Sequence, residues 1–276
     1  MPLIVKHPTA LIHPDAILAD DIEIGPYAVI EGAARIGSGC IIQAHAVITA
    51  HVEMGERNEI GYGAVIGGDP QDFAFRKSTQ SRVKIGNDNR IREYATIHRG
   101  TAEGSATVIG DHCFLMAGAH LAHNVHLGSH VVIANNAMLG GHVSVEDRVF
   151  IGGGCVFHQH LRIGRLAICQ GASAFSKDIP PFTIAAERNG IAGLNIVGLR
   201  RAGLGPAQRA EIKSAFTLLY RDGLNISQAL AAAHERAWSD EGRAFLEFVS
   251  AAGKRGLCDL LATRERGGSV KTDGCL

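Results

Sequence analysis

Eight of the fourteen histidines in this 276-residue chain crowd between positions 112 and 160: His112, His120, His123, His126, His130, His142, His158 and His160. Imidazole exchanges a proton near neutral pH, so such a cluster suits general-base work on a hydroxyl or an amine. Spacing singles out a few of the rings. Counting in eighteens puts His123, Gly141 and Gln159 in one column, with His142 and His160 one residue beyond it and His158 one residue before it. Glycine leaves its backbone N–H uncovered, and an uncovered N–H beside a base is the donor an oxyanion needs. His123 is therefore the candidate base and Gly141 the candidate oxyanion donor. Two other fates compete for the remaining rings. His112, His126 and His130 fit solvated turn positions, and three or four convergent imidazoles could instead hold zinc.

Eighteen has meaning because the chain repeats every six residues. Ile12, Leu18, Ile24 and Ile30 begin a column that runs unbroken to Ile66, with Met54 as its one non-branched member. It resumes at Ile85, Ile91 and Ile97, and again from Ile109 to Phe175. The next position is often Gly (Gly25, Gly37, Gly55, Gly61), and the fifth is small or β-branched (Ala16, Ala28, Ala34, Cys40, Val52). Period six fits neither an α-helix nor an alternating strand. It fits a short strand and a turn, three of which close a triangular coil, so that coils stack as parallel strands. One phase slip lies within 67–84, while 98–107 keeps phase but is polar enough to bulge outward.

The expected fold is mainly β: a parallel β-helix of hexapeptide repeats, about ten coils over residues 1–190. The hexad pattern resembles that of the hexapeptide-repeat transferases, which implies a left-handed coil; the general crossover rule gives the opposite hand. The repeat stops near Pro180-Pro181. A C-terminal α-helical domain, 191–276, follows. There Ile212, Ala215, Phe216 and Leu219 form one apolar stripe, Ile226, Leu230 and Ala233 a second, and Phe245, Leu246, Phe248 and Val249 a third. Pro206 suits a first helical position, and Gly223 and Ser239-Asp240 suit breaks. The tail beyond Gly267 has little to bury and is expected to be loose.

Bulk properties narrow the function. Lys plus Arg and Asp plus Glu both number 27, which argues against nucleic acid as a partner. No apolar run reaches the length of a membrane span, and the N-terminus lacks the layout of a secretory signal, so a cytoplasmic location is expected. None of the six cysteines forms a CxxC pair. Cys40, Cys113 and Cys155 fall at the small inward position and Cys169 in the aliphatic column, where they read as core hydrophobes and not as nucleophiles.

Longer motifs are more specific than the hexads. Gly67-Gly68-Asp69-Pro70-Gln71-Asp72, Ile91-Arg92-Glu93, Thr96-Ile97-His98-Arg99-Gly100-Thr101, Ala119-His120-Leu121-Ala122-His123, Gly141-His142-Val143-Ser144-Val145, His158-Gln159 and Asn195-Ile196 with Gly198-Leu199-Arg200-Arg201 together resemble the UDP-N-acetylglucosamine acyltransferases that begin lipid A synthesis. The likeness runs from about residue 5 to 262. It implies His123 as the base that deprotonates the sugar 3-hydroxyl and Gly141 as the oxyanion donor. It implies sugar-nucleotide contacts at Asp72, His120, His142, His158, Gln159, Asn195 and Arg201. It further implies a 3-hydroxyacyl donor on the phosphopantetheine arm of acyl carrier protein, no metal and no other cofactor, and a homotrimer with sites between subunits. Gly171 resembles the family's chain-length ruler, toward the later coils of the same groove. A glycine there leaves room for a longer chain, and an acyl group of about fourteen carbons is expected. Arg200, Arg201, Arg209, Lys213, Arg221, Lys254 and Arg255 offer a surface for the acidic carrier protein.

The sequence departs from the family's pattern at Ala74 (usually Lys), Asn124 (usually Asp), Val197 (usually acidic) and Ala202 (usually basic). Arg76 or Lys77 could supply the missing loop charge. These changes gather around the nucleotide and sugar, which leaves open an N-acyltransferase for a 3-amino UDP-sugar or an enzyme for another nucleotide-linked amino sugar. From different classes, a trimeric zinc carbonic anhydrase on the same left-handed fold and a non-catalytic scaffold are the competing expectations.

Overall fold

The structure, a computed structural model, describes residues 5–261. Each ordinary hexad becomes a two-residue strand and a four-residue corner, and the strands stack into three parallel sheets. We call these A, B and C in the order a coil visits them. Val5–Lys6 lies in A, Leu11–Ile12 in B and Ile17–Leu18 in C; Glu23–Ile24 then pairs on Val5–Lys6 to begin the next coil. The aliphatic column fills the prism: Ile30, Ile48, Ile66, Ile97, Leu121 and Leu139 are all buried on sheet B. Cys40, Cys113, Cys155 and Cys169 are buried in the same core, and burial raises each thiol's pKa, that of Cys113 to about 11.

The corners explain how so regular a coil holds. Asp21, Tyr27, Ala33, His45, His112, Asn124, His130, His142 and His160 all have φ between 55° and 62° or close to it, the left-handed region. That conformation costs a non-glycine residue roughly 1–2 kcal/mol. The offset is visible in the hydrogen bonds, because the left-handed residue aims its N–H along the axis at the coil before it. His130 donates to the Asp111 carbonyl, Asn136 to Ala117, His142 to His123 and His160 to Gly141, all at 2.8–3.1 Å. Two-residue strands also have little room for the strand twist that underlies right-handed crossovers, and the helix winds left-handed.

Glycine recurs after the inward aliphatic residue because the next coil passes directly over it. A Cβ on Gly37 would stand 2.5 Å from the Gly55 carbonyl oxygen, and one on Gly61 would stand 2.6 Å from the Arg92 carbonyl carbon.

Two coils are longer than the rest, and both lengthen at the corner between sheets B and C. The first extra loop, 69–81, separates Val65–Gly68 from Arg82–Ile85; the second, 99–105, separates Thr96–His98 from Ala106–Ile109. Ile66 therefore pairs with Ile97, and Ile97 with Leu121, before the regular interval returns at Leu139. The expected slip in 67–84 is the first loop. The second adds one whole hexad, so the six-residue phase survives while the eighteen-residue count does not; that count holds below the first loop and above the second, but not across either.

Above the last regular strand, Ala174–Phe175, the chain continues past the proline pair. Thr183–Ala186 adds to sheet A and Gly190–Leu194 returns antiparallel to it. The expected boundary after residue 190 thus falls at the head of a strand. Four helices follow among the described residues: α1 Ile196–Arg201, α2 Pro206–Tyr220, α3 Ile226–His234 and α4 Asp240–Ser250. They bury Ile212, Ala215 and Phe216, Ala229 and Ala233, and Phe245, Phe248 and Val249. Ile226, expected inside, is exposed, because the first residue of α3 precedes the packed turn. Arg162 ties helices to coil: its Nε donates to Asp178 at 2.8 Å, its Nη2 to the Phe248 carbonyl at 2.9 Å, and its guanidinium lies 4.2 Å above the Phe248 ring. Asp259–Leu260 then comes back to pair with Gly190–Leu194, a return the sequence did not announce. The expected loose tail and Cys275 lie outside the described residues.

Because a side chain at Gly37 meets only backbone, Gly37→Ala is expected to cost about 1–3 kcal/mol, the usual range for overpacking. A urea midpoint that falls at constant slope is the check.

Candidate active site

The B–C corner of successive coils carries His123, then Gly141-His142, then Gln159-His160, in the vertical order that the eighteen-residue spacing requires. His123 and His142 meet edge to face with ring centroids 5.2 Å apart, and His142 stacks on His160 at 4.5 Å. The His123 ring lies across Gly141: a Cβ there would be 2.6 Å from Nε2 and 3.0 Å from Nδ1. Glycine at 141 is thus a steric condition for the position of the ring.

Asn124 decides which nitrogen of His123 is basic. Its Oδ1 accepts the Thr101 N–H at 3.1 Å and the Thr101 hydroxyl at 3.0 Å, which fixes that atom as oxygen. The same oxygen is 3.0 Å from His123 Nδ1. Nδ1 must then carry the proton, and Nε2 keeps its lone pair. Asn124 is buried and left-handed, and its own N–H donates to Thr107 Oγ1 at 2.8 Å. It supplies orientation without charge, where the family pattern has a carboxylate.

The Gly141 N–H has no acceptor among the described residues. The corresponding N–H groups at the corner between sheets C and A are satisfied by side chains of a neighbouring coil: Asp111 by Ser129 Oγ, Ser129 by Asp147 Oδ1, and Arg165 by Glu146 Oε2. One corner is sewn shut, while the histidine corner keeps a donor available beside the base.

Below His123 the outer face of sheet B adds His120, whose Nδ1 is 2.7 Å from Thr96 Oγ1, and His98, whose ring meets His120 edge to face at 5.0 Å. Burial, then the neighbouring His120, depresses His98 to about 4. Burial likewise lowers His120, and burial with His160 and His123 lowers His142. These rings stay neutral near pH 7, so each retains both a donor and an acceptor. His158 is exposed and its Nδ1 lies 3.3 Å from the Gln159 carbonyl, leaving Nε2 outward.

Asp72 sits on the first extra loop, exposed, with its Oδ1 accepting the Ala74 N–H at 2.9 Å. Beside it Phe73 is fully exposed. Arg76 and Lys77 are exposed on the same loop. The residue that sequence reasoning passed over is Arg99, which is buried under this loop. Periodicity gives no sign of it, since its position is neither a regular corner nor an inward column.

Three expected site residues do not join this corner within one chain. Gly171 turns from sheet A to sheet B, at the opposite edge of sheet B from His123, so the shared groove expected for the two does not form inside a single chain. Asn195 is buried as the N-cap of α1: Oδ1 accepts the Gly198 N–H at 2.9 Å and Nδ2 donates to the Leu166 carbonyl at 2.8 Å, on the C–A corner. Arg201 is exposed in the last turn of α1. Among the described residues no three His, Cys, Asp or Glu side chains converge as metal ligands, and no helix is long and apolar enough to cross a membrane.

A left-handed hexad coil with a histidine beside a bare glycine N–H defines a hexapeptide-repeat transferase. Comparison supports the class: residues 33–68 and 106–141 match the bacterial transferase hexapeptide model, and residues 178–258 match domain 2 of UDP N-acetylglucosamine O-acyltransferase. An acyl-[acyl-carrier-protein]–UDP-N-acetylglucosamine O-acyltransferase from Paraburkholderia xenovorans is 40% identical over 84% of this chain and 88% of its own length. One from Syntrophobacter fumaroxidans is 38% identical over 91% and 98%. The solved UDP-N-acetylglucosamine acyltransferase of Francisella novicida superposes with a TM-score of 0.89 at 32% identity, covering 95% of both chains. The chain belongs to the UDP-N-acetylglucosamine O-acyltransferase family.

Two outcomes test the site. Gly141→Ala must push the His123 ring aside, and a loss of at least ~100-fold in kcat is expected, the scale of a displaced catalytic group; retention of full turnover would remove Gly141 from the site. For His98 the folded-state pKa of about 4 lies below the ordinary 6.5. The unfolded chain therefore takes up the proton first, and stability falls as pH drops from 6.5 toward 4. His98→Asn is expected to flatten that part of the Tm–pH profile.

Proposed function

We propose that the enzyme transfers a 3-hydroxyacyl chain from acyl carrier protein to the 3-hydroxyl of UDP-N-acetylglucosamine, the first step of lipid A synthesis, in the cytoplasm. The observation that carries the chemistry is the Nε2 lone pair of His123, fixed by Asn124, beside the unpartnered N–H of Gly141. Nε2 takes the proton of the sugar hydroxyl as its oxygen attacks the thioester carbonyl. The Gly141 N–H donates to the carbonyl oxygen as negative charge develops there. Collapse breaks the C–S bond, and the imidazolium returns the proton to the departing phosphopantetheine sulfur. The buried cysteines are consistent with direct transfer and no covalent enzyme intermediate.

Asp72, His120, His142, His158 and Gln159 are proposed sugar-nucleotide contacts on one chain, with Asn195 and Arg201 as further binding residues and Gly171 as the ruler for the acyl chain. Their distribution over three corners supports a homotrimer in which the B–C corner of one subunit faces another subunit. Phe150, Met138 and Val156 are exposed around the A–B corner below Gly171, an apolar surface that a neighbouring subunit and the acyl chain would cover. Asn195 would act from the C–A corner, by shaping α1. The basic residues Arg200, Arg201, Arg209, Lys213, Arg221, Lys254 and Arg255 are proposed to receive the acidic carrier protein.

One observation favours a second reading. Asn124 has no charge with which to stabilise an imidazolium, and a 3-amino sugar, a stronger nucleophile than a hydroxyl, asks less of the base. The deciding experiment is acyl transfer with UDP-N-acetylglucosamine and its 3-amino analogue side by side, across hydroxyacyl chain lengths, with His123→Ala as control. Ester formation lost by about 10²–10⁴-fold in His123→Ala is the expected result for a general base. Amide formation alone would select the second reading. No transfer to either acceptor, or stoichiometric zinc with carbon dioxide hydration, would overturn both.

A further inference from the structure

The buried guanidinium of Arg99 has no part in the chemistry above, yet it is the largest fully buried side chain of the described structure. An arginine offers five N–H donors in a fixed planar fork. Here four of them have acceptors, and each acceptor belongs to the segment 69–81. Nε donates to Asp69 Oδ1 at 3.0 Å, Nη1 to the Thr79 carbonyl at 2.6 Å and to Ser81 Oγ at 3.3 Å, and Nη2 to the Lys77 carbonyl at 3.1 Å; Nη2 also lies 2.9 Å from Asp69 Oδ1 in an ion pair. The Phe75 ring closes over the guanidinium, 4.7 Å from its central carbon. The loop has no strand pairing of its own, so this cation takes the place of a core.

The same stretch of chain reaches the base. The Arg99 main-chain N–H donates to the Gly68 carbonyl at 3.0 Å, and two residues on, Thr101 donates twice to the Asn124 oxygen that orients His123. Between them Gly100 packs against Ser105 with no room for a Cβ. Two residues of backbone therefore connect the hub of the loop to the partner of the base.

We infer that Arg99 is a positioning residue: it sets the loop bearing Asp72 and Phe73 at a fixed height and angle relative to His123, so that the acceptor's sugar nucleotide is presented to Nε2. The inference rests on the proposed sugar-nucleotide acceptor. Its energetic logic is preorganisation. A loop already folded around a buried cation pays little ordering entropy when the acceptor binds. The cation must have its acceptors in turn, because an unpaired buried charge is strongly unfavourable.

The test is Arg99→Lys in the full-length enzyme. Lysine retains the charge but presents three donors from one point and cannot span Asp69, Lys77, Thr79 and Ser81 together. Amide exchange across 69–81 in the free enzyme is expected to quicken by at least ~10-fold, with the acceptor KM rising about tenfold while kcat and the acyl-donor KM stay within about twofold. Asp69→Asn removes the one charged partner and is expected to move the same quantities in the same direction; it decides the matter if Arg99→Lys does not fold. Unchanged exchange in the loop, or a fall in kcat at constant acceptor KM, overturns the inference. If the wild-type enzyme uses no UDP-sugar while the substituted loop still loosens, the proposed acceptor has failed and the clamp has not.

Discussion

The structure depends on one repeated hydrogen bond, from the N–H of a left-handed corner residue to a carbonyl in the coil before it. Without that bond a coil of two-residue strands would have no reason to turn so sharply, and corner residues such as His112, His130, His142 and His160 would have no reason to adopt positive φ. With it, each corner is locked to the corner below, and side chains at one corner rise in a column spaced by the strand separation of about 4.8 Å. A site built on such a column inherits its precision from the backbone and needs no long-range packing to align its parts. His123, His142 and His160 approach each other at stacking distance for this reason.

A prism of this kind has flat faces and no natural cleft, so specificity must come from departures from the repeat. Both departures leave at the same corner, in successive coils, immediately below His123. Their lengths are as informative as their contents. The first gives a loop long enough to wrap around Arg99; the second is short, and its first residues carry both the hub of the first loop and the hydroxyl that holds Asn124. The regular coil supplies base and oxyanion donor, and the two loops together supply the partner of the base and the surface for its substrate.

The aliphatic column and the small residues opposite it were legible because burial here has a strict period, and Cys40, Cys113, Cys155 and Cys169 declared their surroundings through that period alone. The column of His123, Gly141 and Gln159 was legible for the same reason. What periodicity could not carry was any relation across an insertion. The second loop preserves phase while adding a full hexad, so nothing in the pattern shows that Thr96 stands beside His120, or that Thr101 reaches Asn124. Gly171 illustrates the same limit in another form: its offset from the column is clear, but not that this offset moves it to another edge of the prism. The return of Asp259–Leu260 to the sheet was hidden because two residues pairing with a distant strand leave no local signature.

Asn124 shows how the repeat shapes the chemistry. The position is a corner that needs a left-handed residue, and Asn and Asp are the side chains that tolerate this best after glycine. Either can accept from the ring of His123 and from Thr101, so the fold constrains the geometry and leaves the charge free to vary. A carboxylate there would stabilise an imidazolium in a partly buried site and strengthen the base. The carboxamide holds the same tautomer while leaving the base weaker, and it spares the sheet a further buried charge: the buried cation Arg99 is already engaged by its loop. A weaker base places more of the reaction's demand on the acceptor's own nucleophilicity and on its alignment, and alignment is what the two loops below His123 are built to provide.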